Sequence, residues 1–152
     1  MRSILVALLT LVALVPALTP AAAQTEVLPL TAAELSGTWR GQWTSAKGYL
    51  YTATLTLSVA PDGKAEGRFA WVLKRSPRAE EQAKLDLGAV EHVSGRADFA
   101  ARTVSLNGTR KDDPNTVIGL DRYRLVVSDD LRTLGGITWN HGNWQGQILL
   151  TR

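Results

Sequence analysis

The clearest periodicity in the chain lies at 51–59, where Tyr51, Ala53, Leu55, Leu57 and Val59 alternate with Thr52, Thr54, Thr56 and Ser58. Successive side chains of an extended backbone point to opposite faces, so this run predicts a β-strand with one apolar and one hydroxyl face. Pro61-Asp62-Gly63-Lys64 follows, a composition suited to a hairpin turn. The return segment 65–73 puts Gly67, Phe69, Trp71 and Leu73 on one face and Glu66 and Arg68 on the other. The alternation recurs at 88–99, where Val93, Gly95, Ala97 and Phe99 oppose His92, Ser94, Arg96 and Asp98. Val104 and Leu106 carry it through 103–110, and Tyr123, Leu125 and Val127 through 121–127. Shorter strands are predicted at 37–43, 134–139 and 143–151, separated by turns at 45–48, 128–130 and 140–142.

Eight strands joined by tight turns predict an all-β fold, an antiparallel eight-stranded up-and-down meander barrel, with a two-sheet β-sandwich as the alternative. Eight is also the strand number at which such a meander closes around a ligand-sized interior. Two stretches break the pattern. Thr31-Ala32-Ala33-Glu34 has the spacing of a capping box and predicts one helical turn before the first strand. Residues 74–87 are charged and lack strand alternation, which suits a long loop or a short helix capped by Ser76 with Pro77 at its first position. A connection of that length is either a lid or a solvated link.

The first residues do not belong to this pattern. Met1-Arg2-Ser3 is a basic start, Ile4 to Leu14 is an apolar run, and Thr19-Pro20-Ala21-Ala22-Ala23-Gln24 supplies small residues for cleavage. Together they read as a secretory signal peptide cut after Ala23, which predicts a periplasmic or secreted protein. The apolar run is broken at Pro16 and falls short of the roughly 20 residues a membrane-spanning helix needs, so no membrane span is expected after cleavage. The expected organisation is a signal segment 1–23, a tail 24–34 and a barrel domain 35–152.

Charge and cysteine content narrow the partners. The net charge of +3 falls to +2 when Arg2 leaves with the signal segment, too little for the dense basic stripe that nucleic acid requires. The chain has no cysteine, which excludes disulfides, a thiolate nucleophile, cysteine–zinc sites and a lipid anchor on cysteine. An outer-membrane barrel is disfavoured, because Glu66, Arg68, Arg96 and Asp98 would face lipid if the apolar faces turn inward.

The catalytic inventory is thin. The two histidines, His92 and His141, have no ligand spacing between them, and Glu91 and His92 sit on opposite faces of one strand. No Gly-x-Ser-x-Gly, His-Glu-x-x-His or phosphate-cradling loop is present, so neither an enzyme nor a cofactor or metal site is expected. Asp112-Asp113-Pro114-Asn115 clusters oxygens but lacks the length of a calcium loop and reads as a turn. The aromatic residues are the remaining candidates. Trp39, Trp71, Trp139 and Trp144, with hydroxyls from Tyr51 and Tyr123, either line an apolar cavity or fill the barrel, with Trp43 at a rim.

The opening Leu35-Ser36-Gly37-Thr38-Trp39, with the later Ile137-Thr138-Trp139 and Asn143-Trp144-Gln145-Gly146-Gln147, resembles the calycin group, the lipocalins and avidins. The resemblance implies a barrel that holds a small ligand. It does not carry biotin with it: the polar contact that avidins place two residues after the first tryptophan falls on Gly41 here. The Thr-Asp-Tyr signature of lipocalins is not present, and Asp121-Arg122-Tyr123 is only a superficial echo of it. The functional expectation is an exported barrel holding an apolar or aromatic small molecule. Its alternative is a filled barrel that docks a protein partner through the loops 74–87 and 111–116.

Overall fold

A computed structural model describes residues 27, 29–140 and 144–152; the segment 1–23, expected to be a signal peptide, and the expected turn with His141 lie outside the described residues. A four-residue helix α1 (Ala32–Leu35) precedes strands β1 (Gly37–Ser45), β2 (Leu50–Val59), β3 (Lys64–Arg75) and β4 (Gly88–Asp98). They are followed by β5 (Thr103–Asp112), β6 (Asp121–Val127), β7 (Thr133–Asn140) and β8 (Gln145–Thr151). Each strand pairs antiparallel with its successor, and β8 returns to β1 over Arg40↔Thr151 to Ser45↔Gly146, so the sheet closes in up-and-down order. The barrel replaces the sandwich alternative.

The two-residue period decides what fills it. Ala53, Leu55, Leu57 and Val59 of β2 point inward against Phe69 and Leu73 of β3, Val93 of β4 and Val104 and Leu106 of β5. Leu125 and Val127 of β6, Leu134 of β7 and Ile148 and Leu150 of β8 complete the layers. Glu66, Arg68, Arg96 and Asp98 point outward and are exposed. The predicted hairpin at 60–64 forms as expected. Gly63 adopts a φ of 85°, and Asp62 Oδ1 accepts the Lys64 N–H at 2.9 Å.

The two ends of the barrel differ. The end carrying the turns 60–63, 99–102 and 128–132 is stoppered by α1. Leu35 and Trp39 are wholly buried there, Trp39 Nε1 donates to Leu35 O at 3.0 Å, and the Arg152 guanidinium lies 4.4 Å over the Trp39 ring. Only half of the expected capping box forms. Thr31 Oγ1 accepts the Glu34 N–H at 3.2 Å, whereas the Glu34 carboxylate turns to Arg152 Nη2, also at 3.2 Å. Gly37 earns its place by conformation rather than close packing. Its φ is 124°, open to glycine, and a Cβ there would touch nothing within 4 Å.

The charged stretch after β3 is a loop holding one short helical turn, but the expected cap is displaced: Arg78, not Ser76, is the N-cap residue, and Pro77 precedes the turn instead of opening it. β3 runs on to Arg75, and a 3₁₀ turn spans Ala79–Lys84. Ser76 Oγ accepts the Arg78 N–H at 3.1 Å and donates to Glu81 Oε2 at 2.6 Å, so it organises the entry to the turn. The loop between β5 and β6 is built on Asp113. Its carboxylate accepts the N–H groups of Val117 and Ile118 at 2.9 and 3.0 Å and meets Lys111 Nζ at 3.0 Å. These donors and the Lys111 charge outweigh burial and hold the Asp113 carboxyl below its ordinary range. The oxygens of this segment therefore serve the loop itself.

Candidate functional site

Opposite the stoppered end, the barrel interior is not filled. A cavity of about 260 Å³ opens between the connections β1–β2, β3–β4, β5–β6 and β7–β8. Five aromatic side chains wall it: Trp43 from β1, Tyr49 just before β2, Tyr51 from β2, Trp71 from β3 and Trp144 just before β8. Their rings meet mostly edge to face, as the aromatic quadrupole favours. Tyr51 lies 5.6 Å from Trp43 and 6.1 Å from Trp71, and Tyr49 lies 5.1 Å from Trp144.

The sequence expectations divide sharply here. Tyr51, Trp71 and Trp144 come together in the cavity wall. Trp39 does not join them, because it lies in the plug at the other end. Trp139 is also outside. In β7 the inward phase falls on Leu134, Gly136 and Thr138, which leaves Trp139 half-exposed on the outer surface. Tyr123 lies below the wall, buried and stacked 4.8 Å from Phe69, and reaches the site only through its hydroxyl. Trp43, expected at a rim, is buried and part of the wall.

The polar part of the site centres on Glu91, a residue the sequence reading passed over. It is 1 % exposed, on the inward face of β4 with Ala89 and Val93. Its Oε2 accepts from Trp71 Nε1 at 3.2 Å and from the Tyr123 hydroxyl, and its Oε1 accepts the Asp121 backbone N–H at 2.8 Å. Two backbone features make room for it. A Cβ at Gly108 would lie 2.0 Å from Glu91 Oε1, so any side chain there would push the carboxyl from its place. The β5–β6 ladder also ends at Asn107↔Arg122, and the next N–H, that of Asp121, goes to the Glu91 side chain. A register shift between His92 and Val93, opposite Arg110 and Gly108, bends β5 away at the same level.

A second chain of hydrogen bonds closes the floor. Trp43 Nε1 donates to Thr138 Oγ1 at 2.7 Å, and Thr138 Oγ1 donates onward to Asp121 Oδ2 at 3.4 Å. Burial pushes the Glu91 carboxyl up to about 7, against the opposing pull of the Asp121 amide and the Tyr123 and Trp71 donors. Burial likewise lifts the Asp121 carboxyl to about 6, with the Thr138 hydroxyl pulling the other way. Burial and the neighbouring Glu91 and Asp121 carboxyls hold the Tyr123 phenol well above its ordinary value, so it stays a donor.

The mouth is framed by the β3–β4 connection, expected at 74–87, and by the β5–β6 connection, most of whose cavity-lining residues lie just beyond the expected loop 111–116. Val117, Ile118 and Gly119 cover one side, pinned by Tyr51 Oη donating to Val117 O at 2.6 Å. Arg78 and Glu81 of the 3₁₀ turn stand on the other side, 3.6 Å apart. Lys84 Nζ donates to Thr116 O at 3.0 Å and ties the loops into one rim. Gly41, where the avidin resemblance would require a polar contact, lies away from this wall. A Cβ there would fall 1.9 Å from Leu149 O, so β1 and β8 leave no space for a side chain.

Fold and site together define a closed antiparallel eight-stranded barrel with an aromatic, acid-centred cavity at one end. No protein-family model matches the chain, and no curated protein matches it. Among solved structures it is similar to a de novo designed fluorescence-activating β-barrel, at 14% identity and a TM-score of 0.51, over 80% of this chain and 95% of the designed one. That likeness shows the fold alone. Among the described residues no helix is long and apolar enough to cross a membrane.

Proposed function

We propose that the protein is an exported, non-catalytic binding barrel that holds a small, largely aromatic molecule in the cavity between Trp43, Tyr49, Tyr51, Trp71 and Trp144. The single observation that carries this reading is the unequal filling of the barrel. The lower layers are packed and plugged by α1 and Trp39, whereas the upper end keeps about 260 Å³ open inside a wall of five rings. A concave, mostly apolar site with a few convergent polar groups is the ordinary form of a small-molecule site. The lipocalin- and avidin-like opening at Leu35 to Trp39 and the signal-like segment 1–23 support the same reading.

Native mass spectrometry of the protein from an export-competent host tests it. The expected result is a chain beginning at Gln24 that carries extra mass lost on denaturation. A clean apo mass, with no thermal shift against a panel of aromatic metabolites, would overturn it. A protein partner docking through loops 74–87 and 111–116 is the second reading. It is favoured by the Lys84–Thr116 bond, which joins the two loops into one continuous surface.

A further inference from the structure

We infer that the cavity selects a small organic cation, an ammonium or amidinium group carried on a flat ring, with Glu91 and Asp121 as its counter-ions. The inference rests on the small-molecule reading above and specifies the ligand's charge. It begins from the imbalance of charge in the lining. Among the described residues of the lining, three carboxyl groups, Glu81, Glu91 and Asp121, face one cationic side chain, Arg78. Arg78 is already engaged, 3.6 Å from Glu81 and 5.5 Å over the Trp144 ring.

Glu91 and Asp121 have no cationic partner among the described residues. The groups that reach Glu91 are neutral donors: the Trp71 indole, the Tyr123 phenol and the Asp121 amide. Among the described residues, the side chain of Asp121 accepts the 3.4 Å contact from Thr138. A carboxylate offers about four acceptor sites, so Glu91 Oε1 and both oxygens of Asp121 keep capacity for a ligand's N–H groups. A buried charge without a counter-ion costs several kcal/mol in general, and folding has already taken most of that cost at Glu91. An entering cation therefore gains the pairing while desolvating mainly itself.

The walls favour the same chemistry. Ring faces attract a cation within about 6 Å of their centroids, an effect that strengthens when water is excluded. An anion would meet three carboxyls. A neutral apolar molecule would leave the Glu91 carboxyl as unpaired as before. Tyr49 is 4 % exposed and lines the cavity beside Ser76 and Glu81, and burial raises its phenol above its ordinary value, so the wall there stays neutral and adds no cation to the site.

The test compares probes of one shape and different charge. Tryptophan fluorescence and calorimetry are used to titrate the mature protein at pH 8 with benzamidine and with benzamide, then with benzylamine and benzyl alcohol. The cation in each pair is expected to bind at least about tenfold tighter than its neutral counterpart. In Glu91→Gln the ratio of benzamidine to benzamide affinity should shrink to about twofold or less, with the near-UV spectrum used to check that the variant folds. Asp121→Asn provides a second variant should Glu91→Gln fail to fold, and the wild-type pair decides without either. Equal affinities for cation and neutral probe would overturn the cation inference and leave the binding reading standing. Silence from every probe and from a larger neutral aromatic dye would remove both.

Discussion

Replacing Glu91 by Gln should change how the stability of this protein depends on pH. The carboxyl ionises at about 7 in the folded barrel, against an ordinary 4.5 when the chain is unfolded. Between these values the folded state keeps a proton that the unfolded state has released. Stability is therefore greatest at low pH and is lost as pH rises through the window, the reverse of the usual acid denaturation. Integrated from pH 5 to pH 8, the single site accounts for about 2.5 kcal/mol of lost stability. Asp121, lifted from 3.8 to about 6, acts in the same direction lower in the range. Carboxyls held low, such as Asp113, are already ionised by pH 5 and contribute little slope there. The assay is urea unfolding of wild type and Glu91→Gln at pH 5 and pH 8, followed by tryptophan fluorescence. Wild type should lose about 2.5 kcal/mol more than the variant across the interval. The absolute stability of the variant is a poorer guide, because its amide faces the Asp121 N–H and gives up that hydrogen bond. Equal pH slopes for the two proteins would refute the assignment of Glu91 as a buried group without a counter-ion.

Trp39→Ala and Trp71→Ala should separate plug from cavity. Loss of the wholly buried Trp39 is expected to cost about 3–5 kcal/mol in urea unfolding while leaving ligand affinity nearly intact. Trp71→Ala should abolish binding in the native-mass assay and also weaken the fold, since Glu91 loses a donor and Phe69 its stacked neighbour. Gly146→Ala places a Cβ 2.1 Å from the Trp43 indole. The displaced ring should leave Thr138 and enter the cavity, read as a change in tryptophan emission and reduced ligand uptake. Asp113→Ala removes the acceptor for two loop N–H groups, and a loss of about 1–3 kcal/mol is expected, with faster amide exchange at Val117 and Ile118.

What the sequence made legible follows from where its signals are strong. The uninterrupted alternation of 51–59 and its hairpin fixed two strands and their inward faces, and the turn spacing carried the count to eight. The site was harder. An isolated tryptophan says that a large ring is buried somewhere, not in which layer, so Trp39 and Trp139 were grouped with residues at the opposite end or on the opposite face. Trp139 carried a usable signal, since the inward phase of its strand, marked by Leu134, runs to Thr138. Glu91 was readable on the same ground, two residues before Val93 and therefore on the apolar face. A charged residue in a strand ordinarily marks the wet side, and only the Gly108 gap and the redirected Asp121 N–H make this position habitable. Tyr49 and Asp121 lie at or just outside strand ends, where alternation fades and loop geometry decides which way a side chain faces.

The pairing of β1 with β8 has a consequence for how the chain acquires its structure. Arg40 and Thr151 are more than 100 residues apart, yet they are neighbours in the closing seam. Every other ladder joins segments adjacent in the chain and can zip from its hairpin, whereas this one must wait until seven strands are in place. The rate-limiting step should accordingly be closure of that seam, preceded by a curled seven-stranded sheet with the edges of β1 and β7 unpaired. The same delay exposes two bare strand edges to other chains, so variants that weaken the seam, such as a substitution at Gly41 beside Leu149, should aggregate during refolding before they show a large loss of equilibrium stability.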